Sequence, residues 1–131
     1  MLLRIMKITN KAMERLKFRA WYRNQMYEVY ELNITGGMVA ISLPRFPFIQ
    51  DVVPDVVMQL TGLKDKNGDK IYEGDIVTIY DPYTKRQHTD AVIWDDVNCR
   101  YAIKNTYIDF DFLIEDEVEV IGNIYENPDL L

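Results

Sequence analysis

Apolar and polar residues alternate with a period of two through much of the N-terminal half. Leu16, Phe18 and Ala20 alternate with Lys17, Arg19 and Trp21, which predicts a strand with one face turned inward. Tyr27 to Leu32 is rich in aromatic and β-branched residues and predicts a second strand. Gly36-Gly37 supplies a turn, so Met38 to Leu43 is expected to return as a hairpin partner. Residues 44–55 hold three prolines, which remove ladder donors, and are expected to form a loop or irregular edge. Val56 to Leu60 then resumes as a strand.

The second half reads as short, evenly spaced strands at Asp75–Tyr80, Ala91–Trp94, Arg100–Lys104, Ile108–Phe112 and Val118–Ile121. In "IDFDF", Ile108, Phe110 and Phe112 face one way while Asp109 and Asp111 face water. Polar clusters, "DPYTKRQHTD" the longest, are expected to be the turns between strands. Five short strands with no helix-period segment among them fit a small closed barrel, because closure removes exposed edges. Near the end, Asn127 is expected to cap one helical turn that begins at Pro128. The expected fold is mostly β: a small barrel over residues 61–124 with an added N-terminal hairpin and sheet region.

The stretch most suggestive of chemistry is "TGLKDKNGDKIYEGDIV", Thr61 to Val77, with three glycines, four acids and three lysines. Asp65, Asn67 and Asp69 fall at the first, third and fifth positions of a calcium loop. The sixth position, which needs glycine, is Lys70, and the twelfth, which needs a bidentate glutamate, is Ile76. Turn chemistry accounts for the residues better. Asn67-Gly68 and Glu73-Gly74 supply positive-φ positions, Ile71 and Tyr72 drop into the core between them, and Asp69 coordinates nothing. Asn67, Gly68 and Gly74 are therefore assigned as structural turn residues.

Other candidates are weaker. His88 is the only histidine and is expected in a solvated loop. Cys99 is the only cysteine, which rules out an internal disulfide, and is expected to be a buried small hydrophobe at the start of a strand. A Cys99–His88 nucleophile pair would require the two to meet across a hairpin. Asp95-Asp96 and Glu115-Asp116-Glu117 could pair carboxylates for acid–base work or a magnesium ion, but adjacent acids in a turn are usually solvated. Trp21, Tyr22, Tyr27 and Tyr30 could stack bases, yet fit core and rim better. No catalytic, cofactor or metal residue is assigned, and the chain is expected not to be an enzyme.

Composition supports one folded domain rather than disorder, with 48% hydrophobic and 12% aromatic residues among 131. No apolar run approaches the ~20 residues of a membrane span, and the first residues are too charged for a signal peptide. Charge is divided unevenly around a net −6. Residues 1–23 carry seven bases against Glu14 alone, whereas the other 108 carry eight bases against twenty acids. An acidic body repels phosphate, so nucleic-acid binding is disfavoured. Its one candidate footprint is the basic strand of Arg15, Lys17, Arg19 and Arg23.

Three blocks, "KFRAW", "MQLTGLKDKNGDKIYEGDIV" and "VEVIGNIYENPDLL", resemble the YopX family of phage and prophage proteins in the family's own order. The resemblance implies a cytoplasmic protein of a bacterial host with a mostly β fold containing an SH3-like barrel. It brings no established activity and no catalytic residues. It also makes residues 1–12 an extension, expected to be loosely ordered, ahead of a single domain over 13–131. The function expected on these grounds is a non-catalytic accessory module that binds a protein partner or itself. The alternative is a nucleic-acid-binding regulator.

Overall fold

The structure, a computed structural model, describes residues 16–42, 49–81, 84–105 and 117–131. They form strands β1 (Phe18–Tyr22), β2 (Gln25–Asn33), β3 (Met38–Ser42), β4 (Ile49–Val52) and β5 (Val56–Lys64). Then come β6 (Lys70–Tyr72), β7 (Asp75–Asp81), β8 (Arg86–Asp95), β9 (Arg100–Ile103) and β10 (Val118–Asn123). The only described helix is a 3-10 turn at Pro128–Leu130. No helix among the described residues is long and apolar enough to cross a membrane. Two compact units divide in sequence between Leu60 and Thr61.

In the first unit β1 lies between β2 and β5, both antiparallel to it. The β1–β2 hairpin turns on Arg23 and Asn24, with φ of 48° and 60°. A two-residue turn with φ positive at both positions matches the natural twist of the strands it joins. Ala20, Val39, Ile41 and Val52 make the core, with Tyr22, Tyr27, Val29, Leu32 and Val57 packed against it. The inward alternation holds at Ala20 but fails at Leu16, which precedes β1 and is 64% exposed. The Tyr22 and Tyr27 rings lie 6.5 Å apart, tilted at 57°, while Tyr30 is exposed where the β2–β3 register shifts. The segment around the prolines is an edge strand in part. Pro44, Pro47 and Pro54 leave the run 48–53 free of proline, and β4 pairs there with β3 at the outer edge of the sheet.

The second unit is built on a four-stranded antiparallel sheet of order β10-β7-β8-β9. Its core is Ile71, Val77, Ile79, Val92, Ile103 and Val118, with Leu63, Tyr101 and Val120 packed against it. The described strands do not close into one barrel. β5 runs on to Lys64 as a single strand, and β6 continues the sheet order β4-β3-β2-β1-β5-β6, so two open sheets result. The expected strand at Ile108–Phe112 and the extension 1–12 lie outside the described residues. A larger correction concerns "RQHTD". These residues are not a turn but the first half of β8, paired with β7 from Arg86↔Asp81 to Asp90↔Val77. Their side chains lie where the hairpin arm is largely exposed, so no apolar alternation marks them. A hydroxyl pair, Thr78 with Thr89 at 3.1 Å, takes its place.

Candidate functional site

Thr61 to Val77 forms two turns around β6, and one buried carboxylate organises the first. Asp65 is 3% exposed. Its Oδ1 accepts the backbone N–H of both Asn67 and Asp69, each at 2.9 Å. Its Oδ2 accepts the N–H of Val120 in β10, at 3.0 Å and fifty-five residues away. The backbone reinforces the clasp: Asp65 and Asp69 are joined N–H to O at 2.8 Å, and Lys66 N–H donates to Val118 O at 2.9 Å. Lys66 Nζ adds an exposed ion pair with Glu119 at 2.7 Å. Burial pushes the Asp65 carboxyl up, but the three N–H donors and the Lys66 charge outweigh it and hold it below its usual 3.8.

Within this turn Gly68 has φ +81, as the sequence suggests, but Asn67 is not at positive φ. The turn therefore has a single left-handed position, and the remaining geometry comes from the Asp65 carboxylate. Asp69 takes part through its backbone and leaves its side chain exposed. Asp69→Ala is accordingly expected to change stability by no more than ~0.5 kcal/mol in urea unfolding.

The second turn carries Gly74 at φ +84, while Glu73 is not at positive φ. Asp75, also buried, closes it by accepting Tyr72 N–H on Oδ2 at 2.7 Å. Gly74 itself joins two strands' worth of structure: its N–H donates to Val92 O, and its carbonyl accepts Ile124 N–H, both at 2.9 Å. Thr61 Oγ1 donates to Ile71 O at 2.7 Å and accepts Leu63 N–H, holding the bend at Gly62, φ +85. Asn127 stands at the cap position but gives no cap bond. Its Oδ1 turns back to accept Asn123 N–H, over the spot where a Gly122 side chain would sit.

The remaining sequence candidates are dispersed. His88 is half-buried in β8 rather than in a loop, with Nε2 3.8 Å from Asp81 Oδ2. Cys99 is exposed, not buried, because the Asp96–Cys99 turn needs a left-handed residue and Cys99 fills it at φ +51. His88 is near the start of β8 and Cys99 lies in the turn past its far end, roughly 20 Å away at about 3.3 Å per residue, so no Cys–His pair forms. Asp95 caps its own turn. The side chain of Asn98, its N–H and that of Val97 all donate to the Asp95 carboxylate and lower its pKa. Glu115 and Asp116 lie outside the described residues. Among the described residues no three His, Cys, Asp or Glu side chains are grouped to hold a metal.

Arg15 lies outside the described residues. Lys17 precedes β1 and Arg19 sits in it, directly across from Glu28 of β2. Arg23 is in the hairpin turn with its guanidinium 5.2 Å over the Tyr22 ring.

The model of the YopX protein family matches residues 17–131. The chain belongs to the YopX family. Among solved structures, protein EF1440 from Enterococcus faecalis is 33% identical, with a TM-score of 0.63 over 88% of this chain and 96% of that one. Protein yopX from Bacillus subtilis is 20% identical, with a TM-score of 0.62 over 89% of this chain and 98% of that one. No curated protein matches the chain. The YopX match begins at Lys17 and covers both turns, the Asp65 clasp and both sheets.

Proposed function

We propose that this YopX-family chain is a phage or prophage accessory protein of the bacterial cytoplasm, non-catalytic, acting by binding a protein partner or a second copy of itself. One observation supports this most: the acids that looked chemical are engaged in holding the chain together. Asp65, Asp75 and Asp95 each accept at least one nearby backbone N–H. What is left for recognition is an acidic surface with exposed Tyr30, Tyr80 and Trp94. The SH3-like character expected of the family belongs to the same proposal. Leu63 of β5 and Ile71 of β6 share one core with β7, β8, β9 and β10, as a small barrel would require.

Against the nucleic-acid reading stand the acidic balance of the chain, net −6, and the acid opposite Arg19. Even four phosphate contacts would give a salt slope of roughly −3.6 and weak binding at physiological salt. A fluorescence-anisotropy salt series on duplex DNA and on RNA should show nothing tighter than micromolar. Submicromolar binding that Lys17→Glu with Arg19→Glu abolishes would replace the protein-binding reading with a nucleic-acid regulator.

A further inference from the structure

Trp94 and Tyr101 face each other across the β8–β9 ladder, with ring centroids 5.0 Å apart and planes at 72°. They stand two residues along from Val92 and Ile103, on the same side of the sheet as that buried pair. Tyr101 packs against the core, while Trp94 remains 42% exposed. Rings in this edge-to-face arrangement form adjoining walls of a corner and offer electron-rich faces. The adjoining turn carries a carboxylate. The Gly74 N–H bond to Val92 O fastens the β6–β7 turn to β8 two residues from Trp94, and that turn carries Glu73. Burial first, and the Glu73 charge second, raise the Tyr101 pKa, which places Glu73 within electrostatic reach of the phenol. The neighbouring Arg100 pairs with Asp95 across the ladder, on the opposite face from Trp94 and Tyr101.

We propose that Trp94, Tyr101 and Glu73 form a binding corner for an arginine side chain presented by a basic segment of a partner protein. The chemistry selects that occupant. A guanidinium can lie flat on an aromatic face and still donate two parallel hydrogen bonds to a carboxylate, which a lysine ammonium cannot. Charge complementarity agrees: the adjoining turn carries the exposed Asp96, and the whole chain has a net charge of −6. The inference rests on the protein-binding reading and names the partner's chemistry.

The test is an NMR titration of the full chain with a short acetylated arginine peptide and with its citrulline counterpart, equal in shape but uncharged. The arginine peptide should shift the Trp94 indole and Tyr101 ring signals saturably. Trp94→Leu, which keeps the site apolar, should weaken binding about tenfold, and the surface change Glu73→Gln several-fold. The citrulline peptide should leave both signals in place. Equal shifts with citrulline, no shift with arginine, or unchanged affinity in Trp94→Leu would each overturn the corner. A natural partner held equally by wild type and Trp94→Leu would remove this site while leaving the protein-binding reading intact. Tight nucleic-acid binding would remove that reading without altering the peptide titration.

Discussion

Asp65→Ala is expected to cost about 3 kcal/mol in equilibrium urea unfolding, among the largest effects of any polar substitution in the chain. The change orphans the N–H groups of Asn67, Asp69 and Val120 together. Hydrogen bonds to a charged acceptor are worth more than neutral ones, and a buried donor left without a partner costs its full desolvation. The loss is not local, since the Val120 bond ties the first turn to β10. The pH dependence has a definite sign. A carboxyl held below its usual value in the fold favours folding wherever it is ionised, and that contribution disappears as pH falls through the lowered value. The gap between wild type and Asp65→Ala should thus stay constant from neutrality down to about pH 4 and narrow only below it. A gap that narrows already between pH 7 and 5 would refute the ionised clasp.

Gly74→Val is the second large effect, with an expected loss of more than ~2 kcal/mol. Two costs combine. A β-branched side chain at φ +84 is strained wherever it points. The strain also pulls on the Gly74 links to Val92 and Ile124, which join the turn to β8 and to the segment after β10. Gly74→Ala should fall between the two, because alanine shares the positive-φ penalty without the branch. Gly68→Ala offers a comparison: it has a similar φ of +81 but is exposed, with open space where the methyl would go. It should lose about 1 kcal/mol, the backbone strain alone. If Gly74→Val unfolds at the same urea concentration as wild type, the turn is not fastened as described.

The β character and most strand positions were legible because alternation and glycine turns report directly on backbone geometry. Met38–Ser42 after Gly36-Gly37, and Asp75–Asp81 after Gly74, are examples. The β1–β2 turn at Arg23-Asn24 carries no glycine or proline, so its left-handed pair left no mark. The first half of β8 was illegible for a different reason. Strand propensity is largely burial, and Arg86, Gln87 and Thr89 are exposed, so a paired strand there looks like a loop. Cys99 shows the same limit, as its place in a turn depends on the β8–β9 register. Asp65 was partly legible. An aspartate opening a turn before Asn-Gly is a known preference, and that signal alone could have found its bonds to Asn67 and Asp69. Its bond to Val120 crosses fifty-five residues and follows only from how β10 is placed. The Trp94–Tyr101 corner likewise depends on register, since nothing in the spacing of the two residues marks them as partners.

Asp65 and Asp75 in the Thr61–Val77 stretch bind their own backbone and not a metal ion. Thermal unfolding of wild type and Asp65→Asn, in millimolar calcium and in chelator, tests it most directly. The melting temperature of wild type should be the same in both solutions, and Asp65→Asn should melt lower by an equal amount in each. A calcium-dependent rise of several degrees in wild type, absent from Asp65→Asn, would contradict the account and make this turn a metal site.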